Sequence, residues 1–575
     1  MVRTRWLLGS LILLWLVLAP VLAQKPIDVS FAGTWRITAL LPDREQTLAL
    51  LNLENRGGQW SGRFLAANVA ESKKLQLNEL LIDGAEMRFD LVTPFITYHV
   101  VMHAPKNETR PNRLLGSFEV KGRRDLLRMD KTDARDIDFS KAMTLNPALE
   151  ELQKVAALPT AKEKELTLRA MIKKYQNWPH YTLPMALELL DLANETKPPE
   201  DDVRSRIDQV VRLMSLFGRE MEIQGYRLAA QILMGTSEWS ALALRQAQTA
   251  EKMLTPNDST ASQLRVLKTL RQAMNKANVK DNLADVQARI DLQEELLNQE
   301  EASLPIPFEV KPQEPRPAGT QRVVLLEMFN GVHQLPQSVV DPSVAADWLF
   351  LALQKTYPAT DVIVMQHQLH IPDTNPLACA SAEGRAQFYG INFVPAFFVN
   401  GVQQPNISGA LEDVQADYRQ FGQIINKALA SPTTMSLHVN VLRDKELIKS
   451  QIKLQGIPNP LPSDLQLQLF LVEDRVCYQG SNGQRLHYNV VRALIPVQQP
   501  EVKANATQSW EASFDLAALK QQQLDYLEQT AKTDPFPDDD RPVAFRKMKL
   551  VACVQNQKTR AVLQATLAEI PDATK

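Results

Sequence analysis

The chain has 575 residues, too many for one hydrophobic core, and its length suggests about four domains. It is 45% hydrophobic and 23% charged, the balance of a globular protein. Its 64 Lys and Arg nearly cancel its 66 Asp and Glu, so no global field draws in nucleic acid or an anionic membrane.

The first segment reads as an address. Met1 to Arg5 is basic, 6–18 is apolar, and Val21-Leu22-Ala23 offers small residues for cleavage before Gln24. This is the pattern of a secretory signal peptide at 1–23, with an uncleaved membrane anchor as the rival reading. No later segment is apolar enough to span a bilayer. The expected mature protein is therefore exported, periplasmic or extracellular in a bacterium, without a transmembrane segment and without nucleic acid as partner.

Residues 30–132 read as consecutive strands. Runs at 33–38, 47–53, 59–65, 75–82, 86–92, 95–103 and 114–120 are separated by turn signals such as Asn55-Arg56-Gly57-Gly58 and Asp83-Gly84. A small antiparallel barrel or half-barrel is expected. The Gly33-x-Trp35 opening resembles lipocalin-type barrels. A ligand cavity and a barrel filled by its own side chains both remain open.

Residues 145–302 read as helices, with apolar residues three and four apart, as in Leu264, Leu267, Leu270 and Met274. Expected helices are 163–175, 203–234, 239–254 and 262–274. The stretch 240–297 resembles tetratricopeptide-type helical hairpins, which implies either partner binding or a spacer. A Pro-rich linker at 303–320 follows, with Pro312 and Pro315 among residues that favour extended geometry.

Residues 321–430 spell strand, helix, strand. The run 322–329 is a buried strand, Asp341-Pro342 starts a helix over 342–355, and 361–366 is a second strand. A second helix at 378–389 leads to Val394-Pro395 and a strand closing on Asn400-Gly401, with a last helix at 411–429. The order of elements, Phe329-Asn330-Gly331, Val344-Ala345-Ala346-Asp347, His367-Gln368-Leu369-His370-Ile371-Pro372 and the strand 394–401 resemble the thioredoxin-like superfamily. The closer likeness is to multidomain exported bacterial thioredoxin-domain proteins.

That resemblance implies a Cys-x-x-Cys pair after the first strand. Counted forward from Phe329, the positions hold Gln334 and Gln337. Counted back from Val344, they hold Val340 and Ser343, and about six residues are inserted between the anchors. Neither count finds a thiol to attack a disulfide or to resolve one. The resemblance also implies a cis-proline at Pro395 beside a peptide groove, with Glu327, His333 and Val394 as groove candidates. Glu327 matches the family's buried acid, although a structurally paired carboxylate is the preferred reading without cysteines.

Residues 433–572 return to strands, with alternation at 465–469 and further runs at 549–554 and 561–568 around a helix at 517–532. A β-sandwich of immunoglobulin or fibronectin character is expected. His487-Tyr488 and Asp538-Asp539-Asp540 are placed in its loops, the Asp run as a solvated loop rather than a cation site. Three cysteines make no disulfide framework. Cys477 and Cys553 are read either as one bridge or as two buried thiols, and Cys379 as a lone thiol. A zinc site from His333, His367 and His370 is a minor alternative, and no cofactor is expected. The resulting expectation is a multidomain α+β protein, redox-inactive, that binds a protein or peptide in the cell envelope. A one-cysteine redox enzyme using Cys379 and a purely structural spacer are the alternatives.

Overall fold

The structure, a computed structural model, describes residues 30–572 except 69–74, 94–96, 106–109, 121–122, 304–305, 307, 315, 317–321, 333–341, 408, 411–412, 504–506 and 537–539. The expected leader at 1–23 lies outside these residues, as do His333, Gln334, Gln337, Val340, Asp538 and Asp539. The fold is mixed α+β, with an N-terminal antiparallel sheet, twelve helices among the described residues and two further sheets. No described helix is long and apolar enough to cross a membrane. The chain forms two compact units divided near residue 225. That division falls inside the span expected to be one helical domain.

The first unit opens with β1 (Gly33–Leu40), β2 (Arg44–Arg56), β3 (Gln59–Ala67), β4 (Gln76–Asp83), β5 (Glu86–Val92), β6 (Thr97–His103), β7 (Arg113–Val120), β8 (Arg123–Lys131) and β9 (Met143–Leu145). Its sheet runs β3-β2-β1-β8-β7-β6-β5-β4, with β9 added on β2. The two ends, β3 and β4, lie against each other, so the sheet nearly closes. Two strands, β9 and β8, were not expected, and β8 pairs with β1 and brings the end of the meander back to its start. Its charged sequence hides the alternation, yet Leu127 and Met129 are fully buried. Trp35, Ile37, Leu51 and Phe89 fill the core.

Helices follow as α1 (Leu149–Ala156), α2 (Ala161–Lys174), α3 (Pro179–Thr196), α4 (Glu200–Ser215), α5 (Arg219–Leu233), α6 (Ser240–Lys252), α7 (Thr260–Lys276) and α8 (Leu283–Ser303). The single helix expected over 203–234 is two helices. The chain leaves α4 at Ser215 and turns through Gly218 at φ +107°, which stops the helix. Helix α3 carries Pro184 inside it and starts on Pro179, which occupies the first turn, where its missing N–H costs nothing.

Within the first unit, Glu45 on β2 ties the sheet to α3. It accepts from Arg128 Nη2 on β8 (2.7 Å), His180 Nε2 (2.7 Å) and Tyr181 OH (2.8 Å). Burial alone would raise its pKa. The bonds from His180 and Arg128 outweigh it and hold the carboxyl well below its ordinary value.

The second unit continues with β10 (Val324–Asn330), α9 (Pro342–Thr356), β11 (Val362–Gln368), α10 (Ala380–Tyr389), β12 (Ala396–Val399), β13 (Val402–Gln403) and α11 (Val414–Leu429). Then come β14 (Ser436–Asp444), β15 (Leu447–Gln455), β16 (Leu465–Cys477), β17 (Leu486–Leu494), β18 (Thr507–Asp515), α12 (Leu516–Thr533), β19 (Met548–Asn556) and β20 (Val562–Glu569). Strands β10 and β11 are parallel and joined through α9, and β12 runs antiparallel to β10. Both β10 and β11 are buried along their whole length, as their continuous apolar runs require.

The sheet does not stop at the boundary expected between 430 and 433. It runs β13-β12-β10-β11-β17-β16-β19-β20, with β11 meeting β17 at Gln366 and Val490. A second sheet, β14-β15-β18, shares a core with the β16–β19 end through Leu437, Ile452, Trp510, Leu469 and Leu550. The placement of His487 and Tyr488 in a loop is corrected: both lie on β17, and His487 is buried with Nε2 3.1 Å from the Tyr478 carbonyl. Asp540 likewise faces a lysine, Lys268 on α7, at 2.6 Å.

Candidate binding site

Three loops converge at the C-terminal end of β10. Gly331, after β10, lies against the carbonyl of Ile371, after β11, and beside Val394, before β12. Both the Ile371-Pro372 and the Val394-Pro395 peptide bonds are cis. Pro395 is buried and Val394 half-buried, while Asn392 and Phe393 are exposed, Phe393 by 46%. Among the described residues, the main-chain N–H and C=O of Val394 make no hydrogen bond. A half-buried apolar residue with an open amide and carbonyl is a place where an extended chain can pair.

Beneath this surface lies a buried polar network centred on Glu327, the one acid within β10. Its carboxylate is fully buried and receives Arg385 Nε and Nη2, each at 2.8 Å, in a two-pronged ion pair. Tyr389 OH donates to it at 2.7 Å and His367 Nε2 at 3.1 Å. Arg385 and Tyr389 are four apart on α10 and so share one face. Gln555 on β19 closes the set, accepting from Arg385 Nη1 (2.6 Å) and donating to Tyr389 (2.9 Å).

Burial would push the Glu327 pKa up. The Arg385 charge and the bonds from His367 and Arg385 outweigh burial and hold it far below the usual range. Burial pushes His367 down, and its ring stacks on Phe329 at 4.5 Å. The network is therefore a carboxylate, a guanidinium and a neutral imidazole at neutral pH. A carboxylate locked in that state is not a proton carrier.

Of the other sequence candidates, Ser343 is buried in the first turn of α9, and its carbonyl accepts from Asn330 Nδ2 at 3.1 Å. Cys379 caps the N-terminus of α10, accepting from the Ala382 N–H at 3.4 Å. Its thiol is 3% exposed and lies 3.4 Å from the Val491 carbonyl, and burial raises its pKa. The helix end does not make it a thiolate, because desolvation outweighs the dipole here.

Of the two readings of Cys477 and Cys553, the bridge is ruled out, since all three cysteines are free. Cys553 pairs across from Gln468, nine residues along β16 from Cys477. At about 3.3 Å per residue that is about 30 Å, whereas a disulfide needs Cα atoms within roughly 7 Å. Burial pushes Cys477 up to about 11 and Cys553 up to about 12.

Of the candidate histidines, His333 lies outside the described residues, and His367 and His370 do not converge. His367 faces Glu327, while His370 meets Tyr526 OH through Nε2 (3.0 Å) and the Asn375 N–H through Nδ1 (2.9 Å). Arg385, Tyr389 and Gln555 were missed at the sequence level. The face shared by Arg385 and Tyr389 was the only local signal, and nothing local pointed to Gln555.

No protein-family model and no curated protein matches the chain. Among solved structures, HBP35 of Porphyromonas gingivalis is similar at 13% identity and a TM-score of 0.31, over 45% of this chain and 80% of that one.

Proposed function

We propose that the 321–430 segment is a thioredoxin-like fold whose dithiol chemistry has been lost, and that the exported protein uses the Val394-Pro395 surface to bind an extended polypeptide in the cell envelope. The observation that carries this reading is the open main chain of Val394, next to a cis-proline and the exposed Phe393. Such a backbone adds a partner strand, and its apolar neighbours set the side-chain preference. Three facts weigh against redox catalysis. Cysteine is absent from every position of the expected pair, Cys379 is buried with a raised pKa, and Glu327 is locked in an ion pair. On this reading the remaining strands and helices are lipocalin-like, tetratricopeptide-like and sandwich modules that carry the surface.

The test uses the full chain without its leader. Insulin reduction is expected to be absent, and turnover abolished by Cys379→Ala would return the protein to one-cysteine redox chemistry. A fluorescent, permanently unfolded polypeptide is expected to bind, and Phe393→Asp to weaken it roughly tenfold, the scale of one buried aromatic contact. Binding untouched by that substitution would move the partner surface elsewhere.

A further inference from the structure

We propose that a cleft at one rim of the N-terminal sheet binds a small organic oxyanion through its carboxylate or phosphate groups. The cleft has a volume of about 990 Å³, the size of a small-molecule site. Its walls carry Arg63, Lys131 and Arg135 against the single acid Asp133. Among the described residues none of the three cations is ion-paired, so the cleft lining carries more positive than negative charge. Its apolar lining is slight and contains no aromatic ring, which disfavours acyl chains and stacked sugars.

The cations are held in place from three directions. Thr34, Asn52 and Arg63 form one cross-strand row over β1, β2 and β3, and Asn52 Nδ2 donates to Thr34 Oγ1 at 3.2 Å. Lys131 ends β8 with its stem in the notch left by Gly33, where a Cβ would stand 2.8 Å from Lys131 Cε. Its ammonium sits 5.6 Å from the ring centre of the buried Trp35, a cation–π distance. Arg135 rides on the strap after β8. That strap is tied down by the Thr132 N–H to the Thr34 carbonyl at 2.9 Å, and by Ala134 packed beside Leu50, Ile137 and Ala142. Two guanidinium forks beside this polar row match the geometry of carboxylate or phosphate recognition, while the pairing of Lys131 with Trp35 puts its ammonium on the other face of the sheet, behind the row.

The experiment is isothermal titration of the full chain without its leader, at low ionic strength, with pyrophosphate and with citrate. Saturable binding of at least one anion is expected, weakened at least about tenfold in the Arg63→Gln/Arg135→Gln double variant. Pyrophosphate alone assigns a phosphate-bearing ligand, citrate alone a polycarboxylate, and both together a site that reads charge. Both arginines are exposed, so the variant is expected to keep its thermal midpoint. If it does not fold, Arg135→Gln alone on the strap gives the same reading. A smaller loss, or no saturable binding of either anion at about 10 mM, overturns the proposal.

Discussion

Glu327 is the buried acid on which the polar network of the second unit converges. Removing Arg385 leaves its charge buried without compensation, so Arg385→Ala is expected to lower stability by roughly 3–5 kcal/mol, read by urea unfolding. Replacing both partners by leucine is expected to recover most of that loss, because two apolar side chains leave no stranded charge. The network also sets a pH dependence. His367 and Glu327 both have depressed folded pKa values. Their stabilisation is complete above the unfolded values and is lost as pH falls, first below about 6.5 for the histidine and then below about 4.3 for the acid. Between pH 7 and 5 the wild type is expected to lose stability more steeply than His367→Gln, by at most about 1.4 kcal/mol per pH unit. Equal slopes would mean that the imidazole titrates in the fold as it does in the unfolded chain. Glu327 itself was legible as the one charge in an apolar run. Its partners were not, since they come from a helix and a strand far along the chain.

Individual elements were mostly readable where local chemistry decides them. The strand at 86–92, the helices near α2, α6, α7 and α12, and the Asn400-Gly401 turn follow from periodicity, caps and turn residues. Gly401 shows where the reading stopped. Its φ is +76°, as an Asn-Gly turn predicts, but it is also pressed against the Arg560 carbonyl of the β19–β20 turn. Gly401→Ala is expected to cost roughly 2–5 kcal/mol, strain and collision combined, measured as a drop in the urea midpoint. The Glu45 tie belongs to the same scale, since it locks one helix to the sheet. Glu45→Ala removes four hydrogen bonds to the carboxylate and is expected to destabilise the first unit by roughly 2–3 kcal/mol. An unchanged thermal transition would mean that α3 docks through its apolar face alone.

At the scale of the whole molecule the shared sheet matters most. Leu325, Ile363 and Met365 of β10 and β11 pack against Phe470, Val472, Val491 and Val551, which lie beyond the expected boundary. Two separable domains on a flexible tether would not bury such a face. A protease site inserted between Ala430 and Ser431 is therefore expected to give a nicked chain whose halves co-elute on size exclusion until denaturant is added. Release of a soluble, folded fragment ending at Ala430 would show that the sheet is not one cooperative body.

By itself the sequence determined many of the strands and helices, because periodicity, capping and turn chemistry act within a few residues. It also determined that no thiol stands where the thioredoxin resemblance requires one, since that is a matter of composition at counted positions. Only the tertiary structure decided that β8 returns to β1, that β11 joins β17, and that Cys379 is buried. It also decided that Arg385 meets Glu327 and Gln555, and that Arg63 on β3 and Arg135 on the strap after β8 line one cleft. Each of these depends on groups far apart in sequence. Pairing and desolvation between them are paid for by burial of the whole core, which no local pattern records.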